Sequence, residues 1–366
     1  MQVVEFASGT LRFLDQLPAS PPIDGFVWIH LEHEALQEDL AALQRATLCI
    51  GGSALLDLHV RDLENRAHPS NYDYTSVYDL VIFRRLATEE EVHAELPSAE
   101  SALGGELAAF GRIRTRAVGF AVFDRLLVTV HPRGCYAAKT FLQRYLADAV
   151  QSEGVTAAAR SRLPASPADL MLRMINTMVD SYLALRKELG SEMDRWQQRL
   201  LGPRSRTADW AALMTARAAL HTLEDLCEEQ NDAMQEWLDA QREQSHHSLG
   251  QAEHDSLLAR ARDVVEHIQR VMHHVRRMEY GAETAVQIHF SALSHRTNEI
   301  MRVLTALTAV FLPLNFITGF FGMNFEFLPL IHSAAAMWTV LGLMVGAAAT
   351  VVAVFWRKRY LARTGR

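Results

Sequence analysis

The sequence contains few cysteines and lacks the short motifs that mark several enzyme classes. Its 366 residues include 3 cysteines, at Cys49, Cys135 and Cys227, and no CxxC pair. This spacing argues against a disulfide framework and against a thiolate zinc site. No Walker phosphate loop, GxGxxG, HExxH or GxSxG motif is present, so neither an ATP-driven pump nor an enzyme is indicated. The first residues lack a basic stretch followed by a long apolar run, and we predict no signal peptide.

Positive charge is scarce over most of the chain. Residues 1–290 carry 29 Lys and Arg against 41 Asp and Glu, whereas residues 291–366 carry seven against two. An acidic body argues against nucleic acid as a partner, because phosphate binding needs clustered positive charge. Seven carboxylates between Glu224 and Asp239 indicate either a solvated helix face or a surface that accumulates cations.

Two long apolar runs near the C-terminus contrast with this charged body. Residues 303–321 and 333–356 contain no charged side chain. About 20 apolar residues in a helix span the hydrocarbon core of a bilayer, so both runs predict transmembrane helices, with a pair of buried core helices as the alternative. Arg and Lys residues flank the two outer ends, and residues 322–332 contain none. The positive-inside rule therefore places both termini in the cytoplasm.

The body divides at about residue 160. Before it, β-rich runs at 26–32 and 76–86, and a hairpin over 117–131 that turns near Asp124, predict a mixed α/β domain with a helix after the first run. After it, the sequence Ser166-Pro167-Ala168-Asp169 is typical of a helix start.

Long helices are predicted for the rest of the body, because residues 204–312 contain no proline. One helix is expected at about 207–245, and a second begins near Gln251 and continues toward the membrane. The second helix carries an apolar seam with steps of four and three residues, as in a supercoiled bundle. The seam comprises Leu257, Ala261, Val264, Ile268, Val271, Val275, Met278, Ala282 and Ala285. Self-association is the simpler explanation of the seam, and packing against the 207–245 helix is the competing one.

A stripe of polar, small and bulky apolar residues extends along the first apolar run, and its members lie three or four residues apart. Its members are Asn298, Met301, Leu304 (or Thr305), Thr308, Leu312, Asn315, Gly319 and Gly322. An amide inside a membrane span is costly unless it faces protein or water. The stripe therefore indicates a water-filled pore with hydrophobic constrictions, or else a helix-packing face.

Residues 295–329, HRTNEIMRVLTALTAVFLPLNFITGFFGMNFEFLP, closely resemble the CorA family of divalent metal-ion transporters. The resemblance is carried by Gly322-Met323-Asn324 at the end of the first apolar run and by the stretch Asn298–Thr305. It implies an α+β cytoplasmic domain, a long helical stalk and two C-terminal transmembrane helices in a funnel-shaped homopentamer. The corresponding segments are 1–160 (α/β domain), 161–250 (acidic helical hairpin), 251–299 (stalk), 300–321 (pore helix), 322–332 (outer loop), 333–356 (second span) and 357–366 (basic tail).

The resemblance also implies what this assembly does. We expect transport of Mg²⁺, with Co²⁺ and Ni²⁺, across the inner (plasma) membrane, in contact with lipid and with copies of the same chain. Asn324 would form the outer ring that receives the ion. Met301, Leu304 and Leu312 resemble the hydrophobic gate of the family. The pore-lining residues would be Asn298, Met301, Leu304, Thr308, Leu312, Asn315 and Gly319.

Regulation by intracellular metal is a further implication. The segment around Asp263 resembles the stalk segment that bears one regulatory carboxylate of the family, and the partner region falls near Glu89, Glu90 and Glu91. An alternative is that Asp263 merely pairs with Arg262 or Arg270. Many members carry a Glu after the proline of the outer loop, where this sequence has Leu330, so Glu326 is the acidic residue that remains. The ZntB branch also lacks that Glu, which leaves zinc transport, proton-coupled or not, as the alternative substrate reading. A membrane-tethered coiled-coil scaffold is the alternative without transport.

Overall fold

A computed structural model describes most of the chain. The described residues are 1–7, 10–88, 91, 107–111, 113–135, 141, 143, 163–201, 210–243, 250–323 and 334–357. The chain forms two compact units, Met1–Glu283 and Thr284–Arg366.

The first unit contains a seven-stranded sheet. Its strands are β1 (Gln2–Ala7), β2 (Thr10–Leu14), β3 (Gly25–Glu32), β4 (Asn71–Tyr74), β5 (Tyr78–Leu86), β6 (Thr115–Phe123) and β7 (Leu126–His131). They are arranged in the order β2-β1-β3-β7-β6-β5-β4. The pair β3–β7 is parallel and the other neighbours are antiparallel. The predicted strands and the hairpin that turns near Asp124 are confirmed.

Two helices cover one face of the sheet. After a 3₁₀ turn at His33–Ala35, α1 (Leu36–Gly51) and α2 (Asp57–Glu64) place their apolar residues against alternate residues of the central strands. Val27, Ile29 and Leu31 point to this face, and their side chains are at most 1% exposed. This period-two alternation is what one face of a covered sheet requires. The helix predicted after the first strand is α1.

Helices also contact the opposite face and edge of the sheet. The short helix α3 (Ala108–Gly111) precedes β6, and the long helix α4 (Pro167–Leu201) contacts β5, β6 and β7. Ser166 caps α4, since its Oγ accepts a hydrogen bond from the Asp169 backbone N–H at 3.2 Å. Asp169 Oδ2 in turn accepts one from the Ala165 N–H. This reciprocal arrangement satisfies two donors at the helix start, as the sequence predicted.

Helix α5 (Trp210–Glu243) is hydrogen-bonded to the β4–β5 edge of the sheet. Gln230 donates to the carbonyl of Arg84, and Trp237 and Gln241 both donate to Asp79. Burial raises the pKa of the Asp79 carboxyl to about 6. The acidic helix therefore has a fixed position on the sheet.

The seam of α6 (Gln251–Phe321) is buried within a single chain. All nine seam residues are 8% exposed or less, and Ala261, Val264 and Ile268 are fully buried. Between Gln251 and Glu283, polar pairs fasten α6 to both neighbouring helices. On α4 they join Arg260 to Asp169, and on α5 they join Gln269 to Asn231. The preference for self-association through this seam was therefore wrong, because helices of the same chain already cover it.

The second unit contains the remainder of α6 and the apolar helix α7 (Ala334–Arg357). The most apolar windows of the two helices are 6% and 0% buried within the chain. Helices that form the core of a soluble protein would be mostly covered, so the alternative of buried core helices is wrong. Helix α6 continues through Pro313 without interruption.

Candidate functional site: the polar stripe of the first apolar span

The stripe predicted from the sequence lies on the uncovered side of α6. Asn298, Thr308, Asn315 and Gly319 are exposed. The apolar members are equally uncovered, with Met301 55%, Leu304 53% and Leu312 67% exposed. One chain thus leaves a continuous row of amide, hydroxyl and apolar side chains without intrachain cover.

The covered side of the same helix has a different composition. Its partly or fully covered residues are Ala306, Ala309, Val310, Pro313, Leu314, Ile317 and Phe321. At about 100° per residue, the centre of this set lies about 160° around the helix from the centre of the stripe. The covered side is therefore purely apolar, and the uncovered side carries all the amides between Asn298 and Asn315.

Helix α7 has one covered side as well. Its half-covered residues recur at helical spacing, and they are Val340, Met344, Ala347, Ala348, Val351 and Phe355. Two helices that pack along one side each give this pattern. Each of the two helices thus has one partly covered side, and the polar stripe lies on the uncovered side of α6.

Hydroxyl groups of α6, among them those of Thr305 and Thr308, bond to the preceding helical turn. Thr305 Oγ1 donates to the Met301 carbonyl at 2.7 Å, and Thr308 Oγ1 donates to the Leu304 carbonyl at 2.9 Å. This bond satisfies the hydroxyl hydrogen inside a membrane, and it leaves the oxygen lone pairs as acceptors.

Helix α6 ends at the start of the Gly-Met-Asn motif. The Gly322 N–H donates to the Thr318 carbonyl at 2.9 Å, and a Cβ at position 322 would lie 2.9 Å from the same oxygen. Glycine therefore allows this close approach of the backbone at the helix end. Met323 is 46% exposed. Asn324 and Glu326 lie outside the described residues.

Asp263 is exposed on α6 and lies between the buried seam residues Ala261 and Val264. Within the described part of the chain, it forms no ion pair with Arg262 or Arg270. The alternative of a plain surface pair is therefore not supported. Among the same residues, no group of three or more His, Cys, Asp or Glu side chains is arranged to hold a metal ion.

Glu91, at the end of the predicted partner region, is occupied by an internal ion pair. Arg85 is 3% exposed and donates to both carboxylate oxygens of Glu91, at 2.8 Å and 2.5 Å. Glu91 also accepts from the Thr88 N–H and donates its own N–H to the Thr88 hydroxyl, a capping-box pattern. Burial alone would raise the pKa of the Glu91 carboxyl, but the hydrogen bonds and the charge of Arg85 outweigh this effect and lower the pKa. The sequence motif Thr-x-x-Glu could have revealed this anchor. Glu89 and Glu90 lie outside the described residues.

The acidic stretch of α5 is partly neutralised by α6. Arg276 donates to Glu224 at 2.6 Å and also to Glu228. The hydrogen bond from Arg276 lowers the pKa of Glu224. Part of the stretch is thus a structural contact between two helices and is not a free cation-collecting surface.

Comparison with known proteins places these features in one family. Residues 24–359 match the family described as CorA-like Mg2+ transporter protein. The chain belongs to that family. Over 74 residues it is 38% identical to the cobalt/magnesium transport protein CorA of Thermotoga maritima, a match covering 20% of this chain and 21% of that protein.

Two solved structures show the same fold. The complete CorA magnesium transporter of Methanocaldococcus jannaschii superposes with a TM-score of 0.70 at 17% identity, covering 100% of this chain and 98% of that one. The ZntB cytoplasmic domain of Vibrio parahaemolyticus gives a TM-score of 0.51 at 12% identity, covering 82% of this chain and 98% of that one. At these identities the likeness concerns the fold alone.

Family membership confirms several expectations. The CorA-like family consists of channel-like transporters, and so the expectation that the chain is not an enzyme is confirmed. The predicted fold class, an α+β cytoplasmic domain with a long helix and two C-terminal apolar helices, is confirmed as well. The family is one of inner-membrane proteins with a cytoplasmic domain, which confirms both the membrane implied by the resemblance and the cytoplasmic side predicted from the flanking charges.

Proposed function

We propose that this protein conducts Mg²⁺, and also Co²⁺ and Ni²⁺, through a homopentameric pore in the inner membrane, and that intracellular metal closes the pore. The observation that carries the proposal is the composition of α6. Its amides and hydroxyls lie on the side that the chain leaves uncovered, and its covered side is apolar.

The exposed stripe requires assembly. An amide such as Asn315 is costly in hydrocarbon, and it is tolerated where it faces protein or water. Because the chain itself leaves the stripe without cover, other copies of the chain are the natural cover for it. A ring of copies would turn every stripe toward one axis and enclose water there. The proposed number of copies, five, is taken from the family resemblance.

The chemistry of the stripe suits a hydrated divalent ion. Mg²⁺ demands octahedral oxygen coordination and loses its water reluctantly. Neutral amide oxygens of Asn298, Asn315 and the proposed outer ring of Asn324 can hydrogen-bond a hydrated ion without stripping it. Conduction also needs sites weak enough to release the ion. Cysteine is absent from residues 296–331, and so is histidine, which disfavours a soft-ligand pore for zinc or copper.

Closure by metal is assigned to carboxylates on neighbouring cytoplasmic domains. Asp263 is exposed and makes no ion pair with its flanking arginines, so its carboxylate is available as an oxygen ligand. Glu89 and Glu90 are proposed as its partners across the subunit boundary. When intracellular Mg²⁺ falls, loss of this bridging charge would leave acidic surfaces in mutual repulsion and open the pore.

Flux into liposomes tests the proposal. Purified protein in vesicles that contain a Mg²⁺ indicator should give uptake that Asn324→Ala abolishes. Asp263→Ala should leave uptake intact and remove its inhibition by Mg²⁺ on the cytoplasmic side. A protein without flux would be a scaffold, and the proposal would fail.

Zinc is the second candidate substrate, because the outer loop lacks the Glu after Pro329. Competition between Mg²⁺ and Zn²⁺ in the same vesicles, with and without a pH gradient, separates the two. Zn²⁺ uptake that depends on the gradient and is insensitive to Mg²⁺ would favour the zinc reading, whereas Glu326 favours Mg²⁺.

A further inference from the structure

Between Met301 and Leu312, the proposed pore lining is apolar except at one position. Met301, Leu304 and Leu312 span about 16 Å along the helix axis, and Thr308 lies midway between the two leucines, about 6 Å from each. Thr308 also lies near the centre of the stripe, about 180° around the helix from the centre of the covered side. A hydroxyl group thus interrupts the longest apolar section of the proposed pathway.

The hydrogen-bonding state of this hydroxyl is fixed by the helix. Thr308 Oγ1 donates its hydrogen to the Leu304 carbonyl at 2.9 Å. Its two lone pairs remain, and the side chain is exposed. Towards the axis, Thr308 is therefore an acceptor that has no hydrogen to offer.

A ring of hydroxyl oxygens that accept hydrogen bonds but have no hydrogen to donate distinguishes hydrated cations from hydrated anions. The water molecules around a cation turn their hydrogens outward, so a ring of lone pairs binds that hydration shell. Each water molecule around an anion directs one hydrogen toward the ion, so that hydration shell has fewer hydrogens to offer such a ring. Apolar rings, in contrast, repel water and close a pore by dewetting.

We infer that Thr308 is a specificity-determining residue, which holds water between the apolar rings of Leu304 and Leu312 and admits hydrated cations in preference to anions. The inference rests on the proposed function, since it requires that the stripe line a pore. On this inference, the hydroxyl group of Thr308 keeps the column of water continuous through the hydrophobic section.

The test uses isosteric replacement in the full-length protein. Thr308→Val keeps the shape and removes the acceptor, Thr308→Ala removes it without branching, and Thr308→Ser restores it. Thr350 on α7 provides a matched control, because its exposed Oγ1 donates to the Gly346 carbonyl at 2.7 Å in the same manner on the helix outside the stripe. Thr350→Val therefore measures the cost of losing such a hydroxyl group elsewhere in the membrane.

The measurement is the initial rate of Mg²⁺ uptake into liposomes at equal protein density. Thr308→Val and Thr308→Ala should lower the rate about tenfold, equivalent to about 1.4 kcal/mol in the barrier. Thr308→Ser and Thr350→Val should keep the wild-type rate. Equal rates for Thr308→Val and Thr350→Val would overturn the role of Thr308.

Asn324→Ala separates this result from the proposed function. If wild type conducts, Asn324→Ala does not, and Thr308→Val conducts at the wild-type rate, then the pore stands and the inference about Thr308 is wrong. If wild type shows no flux, the pore and the role of Thr308 fail together. Size-exclusion chromatography of Thr308→Val against wild type identifies a loss of assembly, and Thr308→Ala then decides the outcome.

Discussion

His33 makes the stability of the cytoplasmic domain sensitive to acid. It lies in the 3₁₀ turn between β3 and α1, and its ring is 7% exposed. Its Nδ1 is buried and has no hydrogen-bond partner among the described residues. Burial, together with the charge of Arg66, lowers the pKa of His33 from 6.5 to about 4. The ring is therefore neutral in the folded protein throughout the physiological range.

The size of the effect follows from the two pKa values. An unfolded chain takes up a proton at His33 below pH 6.5, whereas the folded chain takes it up only near pH 4. The neutral ring thus contributes stability that is fully present above pH 6.5 and is lost as the pH falls toward 4. At about pH 5 the loss amounts to about 2 kcal/mol in the free energy of unfolding.

Denaturant unfolding of the full-length protein in detergent, at about pH 7.5 and about pH 5, checks this value. His33→Gln should lose about 2 kcal/mol less than wild type between the two conditions. His273→Gln, which replaces an exposed histidine on α6, should lose as much as wild type. Equal acid sensitivity of His33→Gln and wild type would refute the reasoning.

Three further outcomes follow from burial and hydrogen bonding. Ile268→Ala should lower the free energy of unfolding by about 2–5 kcal/mol, because the seam is filled within one chain. Replacement of the exposed Glu266 by Ala should have little effect, and denaturant unfolding compares the two variants. Arg85→Met should cost about 3–5 kcal/mol by leaving Glu91 unpaired, and Arg85→Met with Glu91→Gln should recover part of this loss in the same assay. Ser166→Ala should cost about 1 kcal/mol through loss of the α4 cap, and Ser166→Asp should retain stability.

Local patterns predicted the elements whose periodicity is strong. The runs at β3, β5 and the β6–β7 hairpin, the start of α4 at Pro167 and the start of α6 at Gln251 were all predicted from spacing and capping residues. Strand β2 was missed, because only Leu11 and Leu14 of its five residues are even partly buried and no alternation marks it. Helix α2 was missed because its eight residues are too few to show a clear helical periodicity in the sequence.

Contacts between distant segments could not be predicted from the sequence. The seam of α6 was predicted correctly as buried, but periodicity cannot tell whether the cover comes from the same chain or from another. The register of β3 against β7, which brings the rings of His30 and His131 to a centroid distance of 5.5 Å, has no local signal either. Arg85 was overlooked because its partner Glu91 becomes significant only when burial removes water from both.

The amides were readable from the sequence, because an amide in an apolar run is unusual wherever it occurs. The direction in which they face required the structure, since it depends on which side of α6 the rest of the chain covers. That assignment is the basis of the proposed pathway.

Access of water to the stripe tests the central claim most directly. In a Cys49→Ala background, which removes the exposed thiol, Asn315→Cys and Val310→Cys place single thiols on the uncovered and covered sides of α6. A membrane-impermeant, positively charged thiol reagent should modify Asn315→Cys in liposomes and block Mg²⁺ uptake, and it should leave Val310→Cys unmodified. Modification of Val310→Cys, with Asn315→Cys inert, would contradict the account.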